Sequence, residues 1–170
     1  MKKNQGFSLI ELIVVIAIMA ILVGVLAPAY LRYVEKSRRS TDVDTVSEIM
    51  SAAEKVASEA QYDKYIQNGT TFTISAATSG ALTLSVGNLA TGSDDRVEVA
   101  WKEMANYTTN VTLSSKAFKA NAGSSSVIGT VGKDGNITWA GSGLFQKGKT
   151  DKEGEFFTSY SPDFEKKLAS

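Results

Sequence analysis

The sequence predicts an α+β chain: one long N-terminal helix, apolar at first and amphipathic later, laid against a small antiparallel sheet. Three observations carry this reading. Phe7 to Leu31 is almost free of charge and apolar on every face. Leu31 to Gln67 repeats apolar residues at spacings of three and four. From Thr70 onward the chain turns rich in Thr, Ser, Gly and Asn, with short apolar alternations.

The first element is FSLIELIVVIAIMAILVGVLAPAY, Phe7 to Tyr30. A helix crosses a bilayer with roughly 20 mainly apolar residues, and Leu12 to Ala27 is continuously apolar or small. Lys2 and Lys3 precede it, which places the N-terminus in the cytoplasm; Arg32, Lys36, Arg38 and Arg39 beyond it pull against that orientation. Three readings fit the residues. One is a secretory signal cut near Ala27-Pro28-Ala29, although the apolar run is longer than such signals use. Another is a plain membrane anchor. Neither gives Glu11 a purpose, and a carboxylate in hydrocarbon costs on the order of several kcal/mol unless paired. The third is therefore a segment that needs Glu11. Further along, Pro28 removes a backbone donor and Gly24, four residues earlier, adds freedom at the same turn, so the helix is expected to kink or open there. Membrane helices also tolerate both residues without consequence.

The second portion carries Val43, Val46, Met50, Ala53, Ala57 and Ala60 as one stripe, widened by Val34, Ile49 and Val56. Asn68-Gly69 supplies the stop. Both portions together make a helix of about 60 residues, with the stripe carrying the globular head. Arg32, Glu35, Lys36, Arg38, Arg39, Asp42 and Asp44 form a charged segment just outside the bilayer. It reads as a solvated face, or as a contact for lipid headgroups and then for neighbouring chains.

In the head, Thr71–Ser75 and Ala81–Val86 are strand candidates, and Asp94–Asn106 a helix with Ser93 as N-cap and Val97, Trp101 and Met104 on one face. Val111–Leu113 and Lys116–Lys119 are short strand candidates. Ser125–Val131 and Asn136–Ala140 flank Gly132-Lys133-Asp134-Gly135, whose Asp-Gly is a hairpin signal. Gly141–Ser170 carries no periodic pattern.

Composition narrows the chemistry. The 170 residues contain no Cys and no His, which excludes Cys/His zinc sites, thiol nucleophiles, His-based triads and disulfide staples. Lys plus Arg and Asp plus Glu each total 18, so no basic field exists to hold nucleic acid. Asp134 and Asn136 read as a solvated turn rather than a calcium site, which takes six or more oxygens. The four Asn-X-Thr sequons, at Asn68, Asn106, Asn110 and Asn136, fit chance in a Thr-rich chain. Nothing resembles a nucleophile elbow, a phosphate loop or a paired-carboxylate site, so neither enzyme activity nor a cofactor is expected.

The segment KKNQG-FSLIELIVVIAIMAIL resembles the N-terminal signal of type IV prepilins and pseudopilins. The resemblance covers roughly the first 35 residues. It implies a leader of residues 1–6, cut by a prepilin peptidase between Gly6 and Phe7, with N-methylation of Phe7. It also implies that Glu11, then the fifth residue of the mature chain, is an assembly residue pairing with the Phe7 amine of the adjacent subunit; its own Phe7 amine is the competing partner. An α-amino group remains cationic near neutral pH. Gly24 and Pro28 fall where pilin helices melt on entering the filament. Residues 7–30 would be the transmembrane and polymerisation helix, 31–68 its amphipathic continuation and 69–170 the antiparallel-sheet head of the pilin fold. The lack of Cys resembles Gram-positive, clostridia-like pilins. The implied partners are a homopolymeric or mixed pilin filament, the prepilin peptidase, the assembly platform and, before assembly, the membrane. The implied place is the cytoplasmic membrane with the head outside, then an extracellular pilus serving adhesion, motility or aggregation. The alternative is a pseudopilin of type II secretion or of DNA uptake in competence.

Overall fold

Helix α1 spans Leu9–Ala57, 49 residues with Pro28 inside it. The computed structural model describes residues 7–90, 95–107, 111–116, 118, 125–146 and 162–168. It divides into two compact units, Met1–Ser37 and Arg38–Ser170. In the first, the side chains from Phe7 to Tyr33 are exposed.

The second unit begins inside α1. Its face of Val43, Val46, Ile49, Met50, Ala53 and Val56 is buried, as the stripe predicts, whereas Ala60 is exposed. The helix ends at Ala57, ten residues short of Gln67, the last residue before the expected stop at Asn68-Gly69. Ser58 closes it: its N–H is shared between the carbonyls of Glu54 and Lys55, and its hydroxyl donates to Lys55 O at 2.8 Å. Tight turns follow, through Tyr62 N–H to Glu59 O and Tyr65 N–H to Tyr62 O. The alanines beyond Val56 bury little area, whereas the turns let Tyr65 bury its ring and accept a hydrogen bond from Arg96 Nη1 at 2.8 Å. Gly69 does adopt the left-handed conformation, with φ +89, but it serves the entry to the first strand.

Strands β1 (Thr71–Ala76), β2 (Leu82–Gly87), β3 (Ser125–Val131) and β4 (Ile137–Ser142) form one antiparallel sheet in the order β2-β1-β3-β4. Their buried residues alternate along β1 and β3 at the period of two that puts one face on a core. The Asp-Gly hairpin forms as predicted. Gly132 N–H bonds Asn136 O, Gly135 N–H bonds Gly132 O, and Gly135 has φ +79. Directly across from Trp139, Gly129 leaves room for the indole: a Cβ there would lie 2.6 Å from Trp139 Cζ3.

Helix α2 (Arg96–Met104) starts after Asp95; Ser93, the expected N-cap, lies outside the described residues. Val97 and Trp101 are buried as expected, but Ala100 completes the face and Met104 is exposed. Trp101 fixes the helix to α1, donating from Nε1 to Ile49 O at 2.9 Å and meeting Phe72 edge-on at 5.2 Å. The segment expected as two further strands departs from expectation. Thr112 makes only an isolated bridge to Ala81, and Lys116 and Phe118 are helical; Lys119 lies outside the described residues. What dictates this path is α1, because Asp42 accepts the backbone N–H groups of Ser114 and Ser115, both at 2.8 Å.

The tail carries structure that periodicity does not reveal. A 3-10 turn at Gly143–Phe145 follows β4, and helix α3 (Pro162–Lys167) precedes a parallel bridge from Leu168 to Trp139. Phe118, Phe145 and Phe164 are fully buried in a chain of ring contacts at 5.4 and 5.8 Å. Lys167 Nζ ties down the end through Glu54 Oε2 at 2.8 Å and Ser51 Oγ at 2.9 Å.

Candidate functional site: the start of the apolar helix

Burial of side chains normally accounts for apolar sequence, and here it does not. Phe7 is 95% exposed, and across the most apolar 18-residue window of α1 no side chain is buried within the chain. This surface requires an apolar surrounding from outside the chain.

At its start the helix is capped. Ser8 precedes the first helical residue, and its N–H donates to Glu11 Oε2 at 2.8 Å. This is one half of the reciprocal cap that the spacing Ser-x-x-Glu produces. A carboxylate in the first turn also faces the positive end of the helix dipole. Glu11 is thus hydrogen-bonded within its own chain although it is exposed. That cap was legible as Ser8-Leu9-Ile10-Glu11, a signal hidden because the glutamate reads first as an anomaly in an apolar run.

Phe7, Ser8 and Glu11 therefore lie within one turn of each other. Gly6 lies outside the described residues. A family model described as the prokaryotic N-terminal methylation motif matches residues 1–27. Over this segment the chain is similar to type IV pilins. Two curated relatives of the pilin-like chain, both named fimbrial protein and both from Pseudomonas aeruginosa, are each 39% identical to it over 59 residues. The match takes in 35% of this chain and 38% of each relative, so it spans well under half of their length. No solved structure matches.

Gly24 and Pro28 lie farther along the pilin-like helix, and α1 is helical through both. Pro28 has no N–H to give the Gly24 carbonyl, the acceptor one turn back. A Cβ on Gly24 would meet nothing within 4 Å, so packing inside this chain does not call for glycine there. Among the described residues of the head, no group of three or more His, Cys, Asp or Glu could hold a metal ion.

Proposed function

We propose that this chain is a structural subunit of a type IV pilus, polymerised through its N-terminal helix. The observation that carries the reading is an apolar helix surface with no internal partner, headed by Glu11 and the methylation motif. In this reading residues 1–6 are a leader, residues 7–30 the polymerisation helix, residues 31–68 its continuation, and residues 69–170 the head. A prepilin peptidase cuts between Gly6 and Phe7 and Phe7 is N-methylated. The helix waits in the cytoplasmic membrane with the head outside, until the assembly platform moves the subunit into a surface filament.

Cutting creates an amine at Phe7, within a turn of Glu11. Glu11 then exchanges its hydrogen bond from the Ser8 N–H for an ion pair with the Phe7 amine of the adjacent subunit. A buried charge favours only a register that supplies its partner, so the pairing selects alignment at a cost in stability. Gly24, unneeded for packing here, and Pro28, which leaves a carbonyl unbonded, make their turn the point where the helix opens on entering the filament.

Two variants test the role of Glu11. Glu11→Gln keeps an oxygen for the Ser8 N–H and removes the charge, whereas Glu11→Ala removes both. Both should be cut and methylated normally, seen by mass spectrometry, and both should fail to enter filaments. Normal piliation by Glu11→Gln would refute the ion pair, leaving only the cap. Deleting the chain should abolish surface filaments; their persistence would refute the subunit role.

A further inference from the structure

Beyond Glu11, a second polar feature borders the apolar helix at its other end. Tyr30, Arg32, Tyr33 and Lys36 are exposed, Tyr30 and Tyr33 at 65% and 71%. Among the described residues, the side chains of Arg32 and Lys36 make no hydrogen bond and no ion pair. Glu35 between them is half-buried, with its Oε2 shielded from solvent. At about 100° per residue the four side chains fall within one arc of roughly 160°, and they rise through ~9 Å of helix.

We propose that these four residues form an interfacial collar that holds the phosphates of anionic lipids and sets how deep the apolar helix sits. It rests on the membrane-resident stage proposed above. Tyr rings place their apolar bodies in acyl chains and their hydroxyls among headgroups. Arg and Lys extend their stems along the chains and put their charges at the phosphates, Arg with two parallel donors. The dimensions agree. Leu12 to Leu31 is 20 residues, ~30 Å of helix, which equals the thickness of a hydrocarbon core. With the collar at one surface, Glu11 sits at the opposite one, where its charge stays hydrated and the cut at Gly6 stays within reach of water. The cations that oppose the expected orientation thereby acquire a use.

The full chain contains no Cys, so a nitroxide on Ile16→Cys is unique. Its depth, read by oxygen against a water-soluble nickel chelate, is measured in phosphatidylglycerol and in phosphatidylcholine vesicles. The label should sit deeper in phosphatidylglycerol by ~3 Å, the rise of two residues. Arg32→Gln/Lys36→Gln should abolish that difference, and Arg32→Lys should retain it. A buried label at one depth in both lipids, or a difference that survives the double variant, overturns the collar alone. A label open to the chelate in every vesicle overturns the membrane stage and the collar with it.

Discussion

Asp42 offers the sharpest test of how α1 organises the head. Its side chain is nearly buried, and its carboxylate accepts Ser114 N–H and Ser115 N–H at 2.8 Å each, with the Ser114 hydroxyl at 3.2 Å. Asp42→Ala leaves the N–H of fully buried Ser115 without an acceptor, while the N–H of exposed Ser114 can turn to water. A hydrogen bond to a charged group is worth about 1.5–3 kcal/mol, and an orphaned buried donor costs about 1–3 kcal/mol. These describe overlapping losses, so about 2–4 kcal/mol is expected for the pair. Asp42→Asn is expected to cost nearly as much, because one of the two N–H groups would face an amide NH2 instead of an oxygen. The assay is urea unfolding of the full chain in detergent, followed by Trp fluorescence. Both tryptophans, Trp101 and Trp139, are buried in the head. With a slope near ~1.5 kcal/mol/M, the midpoint should fall by about 1.3–2.7 M. A shift under ~0.3 M for Asp42→Ala would refute the reasoning, and full recovery by Asp42→Asn would show that only one of the two bonds matters.

Further expectations follow from the sheet and its hairpin. Gly129→Val would bring atoms within 2.6 Å of Trp139 Cζ3 and 2.7 Å of Ile137 Cγ2. It should destabilise the head by about 1–3 kcal/mol and alter the near-ultraviolet circular dichroism of Trp139; an unchanged spectrum and midpoint would contradict the packing. Hydrogen bonds from the Asn136 side chain and then its backbone hold the Asp134 carboxyl below its ordinary 3.8. A depressed folded value means that this contribution is present above about pH 3.8 and is lost as pH falls through the folded value. Carboxyl NMR titration should show a midpoint under 3.8 that rises in Asn136→Ala; no movement in that variant would rule out the proposed cause.

Legibility in the sequence followed range. Local signals came through: the period of two placed β1, β2 and β3, Asp134-Gly135 placed the second hairpin, and Val97 with Trp101 placed the inner face of α2. Long-range contacts did not. Ser114 and Ser115 are held by Asp42, some 70 positions earlier, and α3 is held through Glu54 and Ser51. Tyr65 shows the same competition, since its bond to Arg96 accompanies an early end of α1 that the alanine stripe gives no reason to expect. At the candidate site, Glu11 was conspicuous as a charge among apolar residues, whereas its bond to the Ser8 N–H emerged only with the helix start in place.

The borders of the sheet bear on how such a chain can live in a crowd. At β2, Leu82 N–H bonds Val111 O, the Tyr107 hydroxyl donates to Leu82 O, and Glu98 takes Val86 N–H. At β4, Leu168 bridges Trp139. Each margin is thus taken up at these positions, a partial cover of the kind that protects against edge-to-edge fusion. In the assembly proposed above, heads brought close together could then touch without knitting into fibrils.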